Sequence, residues 1–346
     1  MLKVGILGMG GMGWFHTARY LQLPDARLSA IADIVPERLE AREAVQINIS
    51  DGGIDLDFSN VARYGEAMDL IEDADVDVID ICLPTHLHAP YAIAALEAGY
   101  HVICEKPMAL SVEAADEMVE AAKLADRRLM IAHVIRFWPE YAFLRGLIDE
   151  GRYGALRSLN MWRIGGRPGW APDNWFLDPA RSGGAILDLH IHDVDYINAV
   201  LGAPDHIQAT GRASKVAKTY DVIHACFGYD GGPQVHMHAG WSAAQIPFTA
   251  GFEAWFDEAF LSYKGGELRL FDDLEEVASE AVDIASRDGY LEEIAYFLKC
   301  VETGNSPDRC PPESTRDSLR LIQAEIDVIK KTSPVLTTGG ITHEET

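Results

Sequence analysis

A chain of 346 residues, 48% of them hydrophobic, is long and apolar enough for two packed domains. Its formal net charge of -25 argues against nucleic acids and anionic membrane surfaces as partners, since both select basic patches. No segment has the unbroken apolar length of a membrane span and no leader precedes the first strand, so we expect a cytoplasmic protein. The five scattered cysteines predict neither a disulfide framework nor a zinc cluster.

The first predicted strand, Val4 to Leu7, runs into a glycine-rich turn that opens a helix. The turn, GMGGMG at residues 8–13, matches the G-x-G-x-x-G pattern of dinucleotide-binding proteins. Its glycines allow a tight turn, a close approach of the backbone to a pyrophosphate and close packing of helix on strand, while the helix N-terminus favours the phosphates. Cofactor contacts are therefore predicted at Gly8, Gly10, Met12 and Gly13.

An acidic residue ends the second predicted strand. Asp33 follows the run Arg27 to Ala32, at the position where a carboxylate accepts hydrogen bonds from an adenosine ribose. It would repel a 2′-phosphate, and Ile34, Val35 and Pro36 include no arginine to neutralise one, so NAD is predicted rather than NADP. The structural alternative is that Asp33 only caps the helix beginning near Pro36.

Strands and helices alternate up to about residue 133, which predicts a parallel, doubly wound sheet of the Rossmann type. The further predicted helices are Pro36 to about Val45, Glu66 to Glu72, Tyr91 to Ala98 and Ser111 to Ala125; the further predicted strands are Val76 to Leu83, His101 to Cys104 and Arg128 to His133. The connection Asn48 to Ser59 is not assigned. Strand carboxyl ends should open toward the cofactor, which places the loop from Pro84 to His88 beside the nicotinamide half.

The pattern changes in the remaining chain, where one amphipathic helix, Tyr141 to Glu150, precedes a series of extended segments. The predicted strands are Leu156 to Arg163, His206 to Ala213, Val222 to Tyr229, Gln234 to Trp241, Ala250 to Phe256 and Ala259 to Tyr263. A helix from Ala185 to Leu201 interrupts them, and helices Gly289 to Glu302 and Pro312 to Lys331 follow. We predict an α/β protein with an NAD-binding domain at residues 1–133. An α+β domain at 134–346 should hold a large open, mostly antiparallel sheet, and its last helices can pack back on the first domain.

The interrupting helix carries Asp188, His192 and Asp195 at helical spacing. A carboxylate four residues from an imidazole would orient the ring and raise its basicity, which suits proton transfer near neutral pH. The alternatives are a purely structural pair, or a metal held by Asp188, His192 and Asp195 with His236 or His238. The chain has no dense ligand motif, so no metal is predicted. His190 faces elsewhere and is expected to pack.

Lys106 is the third candidate for chemistry. It follows Glu105 at the carboxyl end of a predicted strand, where sheets of this kind place their ligands. Burial and a nearby positive nicotinamide would both lower the pKa of its ammonium group toward the range useful for proton transfer.

In this order, the motifs resemble the glucose-fructose oxidoreductase, inositol dehydrogenase and MocA family, and the resemblance covers nearly the whole chain. The motifs are GMGGMG, Asp33, Pro84-Thr85-His86-Leu87-His88, Glu105-Lys106-Pro107 and Gly183-Gly184-x3-Asp188-x3-His192-x2-Asp195. The resemblance implies NAD(P) bound by the glycines and Asp33, with Pro84, Thr85, His88, Glu105 and Lys106 around the ribose and nicotinamide. It also implies Lys106, Asp188 and His192 at the reacting carbon, a sugar near Arg136, and self-association as a dimer or tetramer through the open sheet. Val134 departs from the family pattern, in which many relatives have Asn.

These features predict an NAD-dependent oxidoreductase that transfers hydride from a hydroxyl carbon of a sugar or cyclic polyol. His192 would take the hydroxyl proton while Lys106 stabilises the developing alkoxide. Candidates for the sugar-facing wall, with core packing as the alternative, are Trp162, Arg163, Trp170, Asp173, Asn174 and Trp175. Two other functions stay open: a hydrolase or lyase that retains its NAD and oxidises a glycoside transiently, and a non-catalytic NAD-binding regulator, which the presence of Lys106 and His192 disfavours.

Overall fold

The first sheet has six parallel strands in the order β3-β2-β1-β4-β5-β6. The computed structural model describes residues 1–40, 58–169, 171–213, 218–272 and 288–332. The strands are β1 Leu2–Leu7, β2 Ala26–Ala32, β3 Ala62–Tyr64, β4 Val78–Ile81, β5 His101–Glu105 and β6 Leu129–Ala132. The helices are α1 Gly11–Tyr20, α2 Pro36–Glu40, α3 Ala67–Asp73, α4 His88–Glu97 and α5 Val112–Ala125. The predicted doubly wound sheet is confirmed.

Both faces of this sheet are buried, as its apolar strands require. Along β1, Val4 and Ile6 pack into one apolar cluster and Leu7 packs into another on the opposite face. Helix α5 begins as predicted at Ser111, whose hydroxyl accepts a hydrogen bond from the Ala114 N–H at 3.2 Å. The predicted connection at Asn48 to Ser59 and the second half of the helix predicted from Pro36 lie almost wholly outside the described residues.

The second sheet has seven strands in the order β13-β12-β11-β7-β10-β9-β8, and only the β7–β10 pair is parallel. Its strands are β7 Leu156–Gly166, β8 His206–Ala213, β9 Tyr220–Gly228, β10 Gln234–Ser242, β11 Thr249–Phe256, β12 Ala259–Lys264 and β13 Glu267–Asp272. The helices of this part are α6 Pro139–Glu150, α7 Pro179–Ser182, α8 Ile191–Leu201, α9 Gly289–Thr303 and α10 Pro312–Thr332. The open, mostly antiparallel sheet is confirmed, and its strand β13 was not predicted.

Helices cover one face of the second sheet, where α8 packs on β7 and α10 packs on β8. The strands alternate accordingly: Phe252 and Ala254 are buried on this side, whereas Trp255 on the opposite face is 38% exposed. Helix α9 instead packs on α1 of the first sheet, with the rings of Phe15 and Tyr290 4.6 Å apart. None of the helices in the described ranges has both the length and the apolar character needed to cross a membrane.

Candidate functional site

The glycine-rich turn has the backbone that close packing and an open phosphate site require. Gly8 has φ +91°, and a Cβ atom there would lie 2.7 Å from the Cys82 carbonyl oxygen. A Cβ atom on Gly13 would lie 1.9 Å from the Gly8 carbonyl oxygen, so only glycine lets α1 approach β1 this closely. Gly10, by contrast, borders open space and no side chain caps α1 behind it. The free helix N-terminus therefore fits a dinucleotide pyrophosphate.

Asp33 is buried at the end of β2, and its carboxylate is fixed by backbone groups. It accepts hydrogen bonds from the N–H groups of Met9 and Val35, each at 2.8 Å. Arg38 also reaches it, with Nη1 3.2 Å from Oδ2. The three residues after Asp33 include no arginine, but the turn of α2 brings Arg38, which lies further along the chain, back to the carboxylate.

The loop after β4 and the turn after β5 are tied together by one buried imidazole. His88 lies 2.8 Å from the Leu83 carbonyl oxygen through Nε2 and 2.7 Å from the Pro107 carbonyl oxygen through Nδ1. Both ring nitrogens thus face backbone, so His88 shapes the site rather than offering a free group to it. Thr85 is also buried, and Pro84 precedes it at the start of a 3-10 turn.

Lys106 meets the helical segment of the second domain directly. Its Nζ lies 2.8 Å from the backbone carbonyl oxygen of Asp188 and 2.9 Å from carboxylate Oδ1 of the same residue. Each side chain of the pair is 17% exposed, so the pair lies at the edge of solvent rather than in the core. Two of the three predicted catalytic residues are therefore in contact across the domains.

His192, the third of them, is not oriented by Asp188 as the sequence suggested. A π turn at Ile186–His190 precedes α8 and breaks the regular α spacing, and the Asp188 carboxylate bonds Lys106 instead. Within the described residues, the buried Nδ1 of His192 has no hydrogen-bond partner. Burial and then the positive charge of Lys106 hold the pKa of His192 well below its usual range. The expected rise in basicity is wrong, and the ring is a neutral group beside an ammonium.

Arg136 and Asp195 form a sealed ion pair in the interior. The guanidinium Nε and Nη2 lie 2.7 Å from the two carboxylate oxygens, and the hydroxyl of Ser318 donates to Oδ1 at 2.9 Å. Side-chain exposure is 1% for Arg136 and 0% for Asp195. The structure thus contradicts the substrate contact implied for Arg136, because its donors go to this buried carboxylate, to the Ser314 hydroxyl and to the Arg309 carbonyl oxygen.

The candidates for the sugar-facing wall are dispersed. Arg163 points into the core, with Nη2 2.9 Å from Asp193, and Trp162 lies on the open face of the second sheet, so neither lines the cleft. Asp173 and Asn174 are exposed, with φ near +50°, just before α7, which packs against the turn Thr85–Leu87. Trp175 stacks on its neighbour Phe176 at 3.9 Å, and Trp170 lies outside the described residues.

The alternative metal set does not come together. Asp188 and Asp195 are bound to Lys106 and Arg136, and His236 and His238 border the cavity on the open sheet face. His190 is fully buried, as expected for a packing residue, with Nε2 2.8 Å from Glu325.

A buried histidine on the phosphate-binding helix is the group that the sequence interpretation missed. His16 lies between Asp80 and Glu105, with Nδ1 2.9 Å from the first carboxylate and Nε2 3.1 Å from the second. The available signal was a histidine on the strand-facing side of α1, three residues after Gly13, but its partners are distant in sequence. It connects the glycine turn to Glu105, whose Oε2 accepts the Lys106 N–H at 3.1 Å.

Two family models match this chain. The model of the oxidoreductase family with an NAD-binding Rossmann fold matches residues 2–133, and the GFO/IDH/MocA C-terminal domain matches residues 141–257. The chain is 28% identical over 327 residues to the myo-inositol 2-dehydrogenase of Thermotoga maritima, with 88% of this chain and 90% of the relative covered. It is 30% identical over 272 residues to the inositol 2-dehydrogenase of Rhizobium meliloti, with 70% and 76% covered.

Solved structures agree with the fold. Levoglucosan dehydrogenase in complex with NADH superposes with a TM-score of 0.81 at 22% identity, covering 95% of this chain and 97% of the other. An Agrobacterium radiobacter oxidoreductase in complex with NAD+, L-tartaric acid and magnesium gives a TM-score of 0.77 at 19% identity, covering 95% and 96%. With the glycine turn, the two sheets and both family models in agreement, the chain belongs to the GFO/IDH/MocA family of oxidoreductases, whose first domain is an NAD-binding Rossmann fold.

Proposed function

We propose that this protein is an NAD-dependent dehydrogenase acting on a CH–OH group of a sugar or cyclic polyol. The observation that carries the proposal is the Lys106–Asp188 pair, which sits beside His192 at the carboxyl end of the first sheet. An ammonium and a neutral imidazole at the edge of solvent are the two groups that alcohol oxidation needs, and they come from different domains.

The residues divide the reaction between them. Neutral His192 accepts the hydroxyl proton, since its depressed pKa leaves the ring unprotonated near neutral pH. The Lys106 ammonium stabilises negative charge on the substrate oxygen, and Asp188 fixes that ammonium in place. A bound nicotinamide supplies the hydride acceptor.

We propose that the cofactor is held by the glycine turn and α1, with Asp33 at the adenosine ribose and the residues after β4 and β5 at the nicotinamide end. The cofactor-side residues of this proposal are Gly8, Gly10, Met12, Gly13, Asp33, Pro84, Thr85, His88, Glu105 and Lys106. NAD remains the preferred form because the buried Asp33 carboxylate would repel a 2′-phosphate. The Arg38 guanidinium offsets part of that repulsion, so NADP should bind measurably rather than not at all.

The substrate class follows from relatives rather than from geometry. Two curated relatives are named for inositol, and others are named for levoglucosan and for UDP-N-acetylglucosamine. These are all cyclic molecules with adjacent ring hydroxyls. We propose that Asp188 and His192 bind the reacting hydroxyl and that Asp173 and Asn174, exposed on the segment leading to α7, bind the far side of the ring.

We also propose that two copies associate through the open face of the second sheet. Among the described residues, the helices cover one face of this sheet, and the other face carries an aromatic row across β11, β12 and β13. Trp255 contacts Phe260 at 4.8 Å and Phe260 contacts Phe271 at 6.0 Å between ring centroids. Trp255 and Phe271 are 38% and 39% exposed, which suits burial against a second copy as a homodimer or as half of a homotetramer. Light scattering should give at least a dimer, and Trp255→Lys should weaken it.

We place the protein in the cytoplasm. All five cysteines are free thiols in the structure and three of them are buried, which suits a reducing compartment.

The test of the enzymatic proposal is a panel of inositols, aldoses and sugar acids offered with NAD and with NADP. We expect one group of cyclic substrates to produce NADH, read from its absorbance band, with higher kcat/KM for NAD. Product without accumulated NADH would support the retained-cofactor hydrolase or lyase instead. Tight NAD binding with no product from any substrate would support the regulator.

A further inference from the structure

A buried chain of charged groups runs under the proposed cofactor site, and His16 is at its centre. His16 lies on α1, the helix that begins at the phosphate-facing glycine turn, and is fully buried. Its Nδ1 is 2.9 Å from Asp80 on β4, and its Nε2 is 3.1 Å from Glu105 at the end of β5. One imidazole ring thus contacts two carboxylates that face it from different strands.

Nδ1 is hydrogen-bonded to Asp80, whereas Nε2 lies at ion-pair distance from Glu105 but outside hydrogen-bond geometry. Protons on both nitrogens match the two carboxylates, because an ionised carboxylate only accepts hydrogen bonds. Burial works against the charged ring, but Cys82 and the Asp80 carboxylate outweigh it and raise the pKa of His16 well above its ordinary value. For Glu105, burial would raise the pKa, and His16 followed by Lys106 reverse this, so its carboxyl is ionised.

Other polar groups border His16, Asp80 and Glu105, but the contacts they make are to Asp80 and His16. The Tyr20 hydroxyl donates to Asp80 at 2.8 Å, and the Cys82 sulfur lies 3.6 Å from His16 Nδ1. Glu293 on α9 is buried, and neither of its carboxyl oxygens has a hydrogen-bond partner in the part of the chain that the structure describes. Burial and then the charge of Glu105 raise the pKa of Glu293 well above its usual range, so it is neutral. His16 is therefore the cation that faces Glu105 from below.

Glu105 in turn holds the backbone of the reactive lysine. Its Oε2 accepts the Lys106 N–H at 3.1 Å while Oε1 faces His16. Lys106 then reaches Asp188 through its side chain. The contacts form one line from Asp80 through His16, Glu105 and Lys106 to the second domain.

We propose that His16 is a positioning residue for the Glu105–Lys106 turn, which its imidazolium holds in the orientation that places the lysine ammonium at the cleft. The inference rests on the proposed dehydrogenase function for its kinetic consequence, but the position of Lys106 can be measured without turnover. If His16 were merely structural, it would hold α1 against β4 through Asp80, and its removal would leave the orientation of Glu105 unchanged.

Two amide substitutions separate these roles. The nitrogen of Asn can replace Nδ1 and that of Gln can replace Nε2, so His16→Asn keeps a donor toward Asp80 and His16→Gln keeps one toward Glu105. We expect His16→Asn to lower kcat by about 100-fold, the cost of a displaced catalytic group, with KM changed far less. His16→Gln should retain most of kcat. Tyr20→Phe, which removes a hydrogen bond to the Asp80 oxygen that His16 also contacts and leaves the Glu105 side of the ring unchanged, is the matched control and should behave like wild type.

The measurement independent of turnover is the rate at which Lys106 is acetylated by acetic anhydride, followed by mass spectrometry on the full chain. Loss of the Glu105 anchor should release the lysine from Asp188, so His16→Asn should react several-fold faster than wild type, His16→Gln and Tyr20→Phe. Should His16→Asn fail to fold, Glu105→Gln breaks the same contact from the other side and should speed acetylation equally.

Equal acetylation rates in the Asn and Gln variants, or a faster rate in Gln, would overturn the positioning role. Failure of the dehydrogenase proposal has a different signature: wild type and Tyr20→Phe would show no NAD reduction, while the acetylation rates would still rank the variants.

Discussion

Two carboxylates on the same helical segment, seven residues apart, form ion pairs that differ in their exposure to solvent. Asp188 meets Lys106 at the edge of solvent, with 17% of each side chain exposed, whereas Asp195 meets Arg136 with 0% and 1% exposed. Lys106 comes from the first domain, whereas Arg136 lies just beyond its last strand, β6. An exposed ammonium can be approached by a substrate oxygen, but a sealed guanidinium cannot, so chemistry and stability are carried by different pairs of similar composition.

The π turn at Ile186–His190 separates the two pairs. It precedes regular α8, so the start of the segment faces the cleft while Asp193 and Asp195 point into the core. Asp193 binds Arg163 in the interior as well, with Nη2 at 2.9 Å. Single-turn π insertions are frequent at functional sites, and here the insertion changes which face of the helix is presented to the first domain.

The largest effect is expected at the exposed pair. Lys106→Met should lower kcat by about 10² to 10⁴-fold, since it removes the group that stabilises charge on the substrate oxygen. The melting temperature should change little, because the pair lies at the edge of solvent. Lys123→Met is the matched control: Lys123 pairs with Glu313 on the surface and is 58% exposed. A Lys106→Met enzyme with wild-type turnover would contradict the role given to the ammonium.

The sealed pair should respond in stability instead. Arg136→Met leaves the Asp195 carboxylate buried without its bidentate partner, which costs about 3–5 kcal/mol in the free energy of unfolding. Urea unfolding would measure it, and kcat per folded molecule should stay near wild type. The double variant Arg136→Met with Asp195→Leu should recover much of the loss, because no uncompensated charge remains. If Arg136→Met abolished turnover in fully folded protein, Arg136 would belong to the substrate site after all.

Residues that could be recognised from their immediate sequence neighbours were predicted, whereas contacts between residues far apart in the sequence were not. The glycine turn, Asp33 and Lys106 were predictable because each lies at the end of a strand whose apolar run marks it. The partner of each charge was not: Lys106 and Asp188 are 82 residues apart, and Arg136 and Asp195 are 59 apart. Helical spacing wrongly paired Asp188 with His192, since a π turn has no simple sequence mark. Arg38 was missed for the simpler reason that the prediction stopped three residues after Asp33.

The fold was predicted more completely than the site because the positions of strands and helices follow from local sequence patterns. Alternation of strands and helices gave five of the six strands of the first sheet, all but the three-residue β3, and short extended runs gave six strands of the second. The seventh strand, β13, alternates over only six residues, Glu267–Asp272, and includes three charged residues, so its apolar face is weakly marked. Its hydrogen bonds to β12 hold the segment as a strand, although its own sequence does not indicate one.

A smaller loss of stability should follow from the hydroxyl that completes the sealed pair. Ser318 donates to Asp195 at 2.9 Å in the core, so Ser318→Ala should cost about 1.5–3 kcal/mol, the usual value for a hydrogen bond to a charged group. The control is Thr303→Ala, which removes an exposed hydroxyl bonded to the Lys299 carbonyl oxygen. Urea unfolding of the two variants side by side provides the measurement, and equal losses would mean that burial of Asp195 is not what makes its bonds valuable.

The smallest expected effect is a shift of the pH profile of kcat/KM. It tests whether the charge of Lys106 also sets the protonation state of His192. Protonation of this ring removes the base, so kcat/KM for oxidation should fall on the acidic side. Because burial, Lys106, Arg163 and His133 lower the pKa of His192, the fall should begin well below pH 6.5 in wild type. Lys106→Met removes a positive neighbour, which favours the protonated ring, so its acidic limb should move to higher pH.

His133 provides the comparison for that shift. Burial lowers the pKa of His133 to about 4, and of the three charged neighbours that lower the pKa of His192, His133 has the smallest effect. His133→Asn should therefore leave the limb nearly where it is in wild type. NMR titration of the His192 ring in wild type, Lys106→Met and His133→Asn measures the pKa of that ring directly, without turnover, and should rank the three proteins in the same order. A limb that moved equally in both variants would show that packing around the ring, rather than the charge of the exposed lysine, sets its protonation.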